Sequence, residues 1–466
     1  MLGAGRIVIS GFGGAVASAL AAVLACAPAS AQTLTDTLVA AYTTSPVLDS
    51  ARARQRATDE GVPRALGGWR PNVALTGQAG RTWENLRIYS TNGNGTIYNP
   101  DARNPYNGYL GVRQSLYAGG RTTADIARAE ALVLQGRAGL VGTEQDVFLQ
   151  ALGAHLDVVR DRRLVDLQRE GVDVFARQLQ GVQRRRERGD VTTTDVAQAE
   201  ARHAQAIADY RAAQGNLEIS RANFLRVVGS PPPEPLVQPA AAAGLPPTLD
   251  AAKAAAQQDN PQVQSALIAL DVARHDIALV EGERRPTVDL VGQAGRDEQY
   301  GNQVGRDLAQ VMVQVTAPLY TGGATEARIR SAKQTLSSRV GDHAAAVLAA
   351  DNEAARGWYA LEANRARIVA VTEQVRAARA AVVGYEAEVR GGTRSVIDQL
   401  NAEQDRLNAE VNLVRTQREE LYASYQLLAA MGRLNVPAMN LPTEAYDPTA
   451  YYRSVRNKWW YDTDIK

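Results

Sequence analysis

The chain has 466 residues with 51 basic and 50 acidic side chains, and its formal net charge of +1 gives no overall field for binding nucleic acid. The mean hydropathy of −0.26 excludes a bundle of membrane-spanning helices. The four histidines are dispersed, with no second histidine or cysteine at metal-ligand spacing, so we expect neither a metal nor a cofactor.

The N-terminus has the pattern of a secretory signal peptide. Arg6 precedes an apolar stretch of small residues, and Ala29 to Ala31 form an A-x-A cleavage site. We therefore expect a signal peptide at 1–31 and an exported mature chain. Two alternatives remain open: an uncleaved membrane anchor, and a lipoprotein acylated at Cys26.

The chain contains an internal duplication. The segment Arg70–Val73 (RPNV) recurs as Arg285–Val288 (RPTV), and Leu116–Gly120 (LYAGG) recurs as Leu319–Gly323 (LYTGG). The offset between the copies changes once, where the first copy has a longer loop. A duplicated architecture is therefore expected. We expect the first repeat at 32–229, with a β-hairpin at about 72–117 and a helical tip near 189–195. A Pro-rich linker at 230–249 leads to the second repeat at 250–436, with a β-hairpin at about 287–319 and a helical tip near 391–398. The C-terminal tail is 437–466.

Stretches without proline predict long helices in both copies. No proline occurs between Pro105 and Pro231 or between Pro318 and Pro437, and proline disrupts helix interiors. A helix over about 121–188 would be on the order of 100 Å long. Apolar residues at heptad spacing predict coiled-coil packing, so each helix needs neighbours to cover its seam. The clearest series is Val340, Val347, Ala354, Leu361, Ile368, Val375, Val382 and Val389.

Short segments between the helices have the two-residue periodicity of strands. Thr287–Ala294 and Gln310–Thr316 alternate most clearly, and Val73–Ala79 and Leu110–Leu116 alternate more weakly. Such lengths with one apolar side are typical of membrane β-barrels, although an ordinary half-buried hairpin has the same periodicity. Four strands cannot enclose a pore, and lipid does not tolerate open sheet edges. A barrel would therefore require several identical chains.

Two helical turnarounds resemble those of the TolC family of outer-membrane efflux and secretion ducts. Gly392–Asn401 (GTRSVIDQLN) is similar to the family stretch GTRTIVDVLD, and the turn from Gly189 to Val196 is similar to GLVAITDV. The order of helix, hairpin and long helix pair, repeated once, resembles the same family over essentially the whole mature chain. The resemblance implies an α+β membrane protein in which three chains form a twelve-stranded β-barrel, continued by a long periplasmic coiled-coil barrel.

The resemblance also implies a set of partners. Members of the family are passive conduits in outer-membrane lipid, with the helical tunnel in the periplasm. We therefore expect a homotrimer that contacts a periplasmic adaptor (membrane fusion) protein at its tips. An inner-membrane ABC or proton-driven pump would supply the energy.

The family resemblance alone assigns roles to residues at the turnarounds. Arg394 matches the family's gate arginine, which would bond Thr194 of the neighbouring chain, and Asp195 matches an acid in the same network. The aromatic partner of that acid falls at Val389, so its contact is absent here. The tip turns contain Gly189, Gly391 and Gly392.

Two positions match the acidic rings that narrow the family's entrance. Asp398 matches the first ring, and the second falls at Asn401, an amide. We therefore expect weaker block by multivalent cations than in relatives with both rings. A simpler reading is that Asp195 and Asp398 only stabilise the starts of their helices, and that Arg394 is a solvent-exposed residue at the tip.

The sequence favours an export duct that serves type I protein secretion, multidrug efflux or both. One alternative is a lipid-anchored duct dedicated to a proton-driven drug or metal pump. Another is a periplasmic coiled-coil scaffold without a pore, which would leave the alternating strands unexplained. No G-x-S-x-G or H-E-x-x-H motif indicates an enzyme. The sequence does not decide whether the tail with Trp459 and Trp460 packs on the helices.

Overall fold

The computed structural model describes residues 33–89, 96–104, 106–298 and 305–460. The predicted signal peptide at 1–31 and the alternative acylation site at Cys26 lie outside them. The helices are α1 (Leu34–Thr44), α2 (Pro46–Asp59), α3 (Gly61–Leu66), α4 (Arg121–Glu187), α5 (Thr193–Val228), α6 (Leu249–Asp259), α7 (Pro261–Glu281), α8 (Ala324–Arg390), α9 (Val396–Ala430) and α10 (Pro448–Val455). The strands are β1 (Asn72–Ala79), β2 (Thr82–Tyr89), β3 (Thr96–Arg103), β4 (Tyr106–Tyr117), β5 (Thr287–Glu298) and β6 (Arg306–Thr316).

Two helices of 67 residues, α4 and α8, are the longest elements. Each is about 100 Å long at the rise of an α-helix, as the absence of proline predicts. Each begins directly after a glycine in the left-handed region, with φ of 83° at Gly120 and 81° at Gly323. This conformation favours glycine, and it reverses the chain from a strand into a helix. None of the helices in the described ranges combines the length and the hydrophobicity that a membrane span requires.

The long helices are covered by shorter ones. α4 packs against α5 and α7, and α8 packs against α9 and α7. A main apolar core contains the fully buried Phe148, Phe224 and Leu427, and a second core toward the helical tips contains Phe175 and Leu407. Each helix therefore buries its seam against neighbours, as the heptads predict. The heptad positions buried along α8 are Ala354, Leu361, Val375 and Val389.

Four strands form an antiparallel sheet in the order β1-β4-β5-β6. The register places Leu75 beside Leu110 and Leu110 beside Ala294, so these side chains share one face. That face is mainly apolar, with the ion pair of Arg296 and Asp307 at the end of the sheet away from the helices. Six of its large apolar side chains are 48% to 80% exposed, namely Val73, Leu75, Leu110, Val311, Val313 and Val315, whereas Val112, Val288 and Leu290 are half-buried. The opposite face carries the polar residues Thr76, Gln78, Asn107, Arg113, Asp289, Gln293, Gln310 and Gln314.

The edges of this sheet are β1 and β6, which run in opposite directions because successive neighbours are antiparallel. Between β1 and β4, where the sequence predicts only a longer loop, β2 and β3 pair as a separate two-stranded sheet. The interior of β3 contains Asn99, Pro100 and Asp101. These residue types are depleted in strands, so the sequence pattern gives no clear strand signal at β3.

The C-terminal tail packs on the helices as far as α10, whereas Trp459 and Trp460 beyond it are 61% and 87% exposed. Tyr452 of α10 packs against an apolar cluster that contains Val62 of α3 and Val133 of α4. The guanidinium of Arg456 donates to the carboxylate of Glu130 at 2.9 Å. The tail is therefore held by both apolar and charged contacts along the outside of the first helices.

Candidate pore entrance at the helical tips

The first turnaround closes α4 with a glycine. Gly189 has a φ of 80°, and its N–H donates to the carbonyl of Arg186 at 3.0 Å. The next N–H, that of Asp190, donates to the carbonyl of Arg185 at 2.9 Å. These bonds satisfy carbonyls that the helix end would otherwise leave without partners.

Asp195 is part of a capping box at the start of α5. Its Oδ2 accepts hydrogen bonds from the N–H and the hydroxyl of Thr192, both at 2.8 Å, and its own N–H donates to Thr192 Oγ1 at 3.2 Å. Within one chain, the carboxylate therefore performs the helix-start role of the simpler reading. The neighbouring Thr194 is exposed, and its bond to Arg394 of a second chain stays a prediction.

The second turnaround uses two glycines differently. Gly391 keeps a right-handed backbone, with φ of −76°, and its N–H donates to the carbonyl of Ala387 at 3.0 Å. Gly392 turns the chain with φ of 77°. Ser395 then caps α9, with its Oγ accepting from the N–H of Ile397 at 3.1 Å. The two tips thus share a left-handed glycine followed by a hydroxyl cap.

Arg394 is held by three side chains of its own chain. Its Nε donates to Glu388 Oε2 at 3.1 Å, and its Nη1 lies 4.0 Å from Asp398 Oδ2. Its guanidinium carbon lies 5.4 Å from the ring centre of Tyr385. Tyr385 and Glu388 were not predicted from the sequence. The aromatic residue of the family falls at Val389, and Tyr385 lies about one helical turn before it, on the same side of α8. The helical period could therefore have identified Tyr385 as an aromatic residue at this tip.

Asn401 connects the two helix pairs. Its Oδ1 accepts a hydrogen bond from Arg202 Nη2 of α5 at 3.0 Å. Asp398 lies three residues earlier, on the same side of α9, with 39% of its side chain exposed. Asn401 is therefore a neutral side chain that is already bound to a cation, and the positive charge of Arg202 lowers the negative potential near Asp398.

An apolar cluster joins the two turnarounds below their charged residues. Val389 and Val396 of the second turnaround are buried, and Val191 and Val196 of the first pack against them. The two tips of one chain are thus a single packed unit. This apolar base keeps the two tips of one chain together.

Comparison with known proteins gives consistent matches. The family model described as outer membrane efflux protein matches residues 15–230 and 254–433. The outer membrane efflux protein BepC of Brucella suis is 31% identical over 431 residues, covering 92% of this chain and 91% of BepC. The alkaline protease secretion protein AprF of Pseudomonas aeruginosa is 26% identical over 384 residues, covering 78% of this chain and 75% of AprF. The solved structure of VceC from Vibrio cholerae has the same fold, with a TM-score of 0.73, 19% identity, and coverage of 86% of this chain and 96% of VceC.

Proposed function

The chain belongs to the outer membrane efflux protein family, and from this premise we propose that it is the outer-membrane exit duct of a tripartite export system. The protein resides in the outer membrane. The observation that carries the proposal is the sheet with one exposed apolar face and one polar face. A sheet of this kind fits between lipid and an aqueous lumen.

Ring closure among identical chains follows from the edges of the sheet. β6 of one chain and β1 of the next run in opposite directions, so they can pair antiparallel and continue the sheet around an axis. Lipid requires that both edges be paired. We propose three chains and a twelve-stranded barrel, in agreement with the family resemblance.

The long helices would continue this ring as a tunnel into the periplasm. α4 and α8 each have 67 residues and follow the same glycine geometry. Matched elements in the two halves support the proposal that the chain arose by internal duplication. Each chain would thus contribute two equivalent helix pairs to the wall of the tunnel.

We assign the entrance of the tunnel to the two turnarounds. Asp398 and Asn401 would line its narrowest part, and Arg394, Thr194 and Asp195 would form contacts between neighbouring chains. A periplasmic adaptor would engage the same tips, and an inner-membrane ABC or proton-driven pump would supply energy. The protein itself would move cargo without catalysing a reaction.

The cargo is proposed from two relatives. BepC is named an efflux protein, and AprF is named a protease secretion protein. We propose that this chain serves small-molecule efflux, protein secretion or both. Export assays in a strain that lacks the chain, with a fluorescent dye and with a secreted protease as alternative cargoes, distinguish these uses.

Purified protein in detergent tests the duct directly. We expect a particle with the mass of three chains, and discrete ion conductance after insertion into a planar bilayer. A monomer without conductance would contradict the proposal. Blocking conductance from the tip side alone with a trivalent cation would assign the entrance to the turnarounds.

A further inference from the structure

The C-terminal tail runs parallel to the first helices of the chain. The N–H of Tyr446 donates to the hydroxyl of Tyr42, at the end of α1, at 2.8 Å. The hydroxyl of Tyr451 donates to Glu60 Oε1, at the end of α2, at 2.7 Å. Both segments therefore advance in the same direction, and α1 to α3 lead to the first strand of the sheet.

The described part of the tail reaches the foot of the sheet. Arg70 Nη1 donates to the carbonyl of Lys458 at 2.6 Å, and the guanidinium carbon of Arg70 lies 4.8 Å from the ring centre of Trp459. Arg70 is two residues before β1, which begins at Asn72. Lys458 and Trp459 thus lie at the level where helices give way to strands.

Two adjacent tryptophans at this level face solvent within one chain. Trp459 is 61% exposed and Trp460 is 87% exposed. The apolar face of the sheet starts at the same level, with Val73 on β1 and Val315 on β6 exposed at 61% and 64%. The tryptophans therefore lie near the helix end of a surface that the proposed function places in lipid.

The chemistry of this site fits the interfacial layer of a bilayer. Indole rings combine an apolar body with an N–H donor and are enriched where acyl chains meet headgroups. The nearby cation Arg70 can contact lipid phosphates from the same position. A purely aqueous location would leave two large aromatic side chains without burial.

We propose that the C-terminal tail is a membrane-interface anchor, in which Trp459 and Trp460 insert into the leaflet that faces the periplasm. This proposal rests on the proposed placement of the sheet in the bilayer. The tail then connects the helical tunnel to the lipid surface on the outside of the barrel. Its function would be to fix the height and tilt of the tunnel relative to the membrane.

Fluorescence quenching by lipids with brominated acyl chains tests the anchor. The variant W69F/W83F/W358F retains only Trp459 and Trp460, whereas W69F/W83F/W459F/W460F retains only Trp358, which packs against the main core. A third variant carries L75W with all five native tryptophans replaced by Phe. Leu75 is 80% exposed on the apolar face, so L75W reports whether the sheet is in lipid.

In phosphatidylcholine vesicles, we expect brominated lipid to remove most of the emission of the Trp459–Trp460 pair and of L75W, and to leave Trp358 unchanged. Quenching of L75W without quenching of the pair overturns the anchor while the proposed barrel stands. Absence of quenching at L75W overturns the membrane placement and the anchor together. Blue-shifted but bromine-insensitive emission of the pair would indicate burial against a neighbouring chain, which also overturns the anchor.

Discussion

The guanidinium of Arg394 is stacked on the ring of Tyr385, with 5.4 Å between the guanidinium carbon and the ring centre. The same guanidinium donates to Glu388 at 3.1 Å. Because both partners precede the turn, the arginine is tied back to the end of α8. The direction in which this cation points at the tip therefore depends on the aromatic ring.

Replacing that ring should weaken the closed state. A cation–π contact at an exposed site contributes about 0.5–1 kcal/mol, so we expect Y385A to raise the open fraction in planar bilayers by roughly two- to five-fold. Y385F keeps the ring and serves as the matched control, with conductance like the native chain. Equal conductance of Y385A and Y385F would contradict a role for the stacking.

Restoring an acid at the second ring position should strengthen cation block only in part. In N401D the new carboxylate would pair with Arg202, whose Nη2 already lies 3.0 Å from Asn401 Oδ1. We therefore expect a modest tightening of block by a trivalent cation in N401D and a larger one in N401D/R202Q. N401Q serves as the neutral control. Block unchanged in N401D/R202Q would show that this position does not line the pore.

Two substitutions separate the capping role of Asp195 from its proposed contact between chains. T192A removes the cap and should destabilise the start of α5 by about 1 kcal/mol, but it leaves the carboxylate in place. D195A removes both roles. We expect faster amide exchange at the start of α5 in both variants, and raised conductance only in D195A. Similar conductance in the two variants would indicate that Asp195 acts through the helix start alone.

Acid should destabilise the region around His155, which is fully buried. Its Nε2 lies 2.9 Å from the carbonyl of Val237, which can only accept, so the neutral ring carries its proton there. Burial lowers the pKa of His155 below its ordinary value of 6.5. The unfolded chain then binds more protons than the folded chain, so stability rises with pH.

This contribution to stability is complete above the unfolded pKa of 6.5 and is lost as the pH falls below it toward the lower folded pKa. We expect the thermal midpoint, measured by circular dichroism between about pH 5 and 8, to fall on the acidic side. H155Q should be less stable at neutral pH and should lose part of this slope. The same slope in H155Q would assign the acid sensitivity to other groups.

The long elements were predictable because their signals are local. Proline absence and heptad spacing predicted α4 and α8. Alternation predicted the start of β5 and the end of β6, but β5 continues beyond Ala294 to Glu298 and β6 begins at Arg306, before Gln310. β2 and β3 were missed because residue types depleted in strands interrupt the alternation of β3. The α+β class and the tip glycines Gly189, Gly391 and Gly392, by contrast, were implied by the family resemblance.

The contacts of the candidate site were harder to predict from the sequence, because they join segments that are far apart along the chain. The bond between Arg202 and Asn401 and the stacking of Arg70 on Trp459 depend on how helices and tail are arranged in space. Periodicity places a residue on a face but does not identify its partner across the fold. The capping box of Thr192 and Asp195, by contrast, has a sequence signature and was available as the simpler reading.

The opposite directions of β1 and β6 have a genetic consequence. In the proposed ring, every chain pairs its β1 with β6 of one neighbour and its β6 with β1 of the other. Damage to either edge strand therefore also leaves an intact edge strand of a neighbour unpaired. If normal and defective copies were made in equal amounts and mixed at random, only about one ring in eight would contain three sound copies. Alleles with a broken edge strand should therefore be dominant over the normal allele, whereas alleles that abolish synthesis of the chain should be recessive.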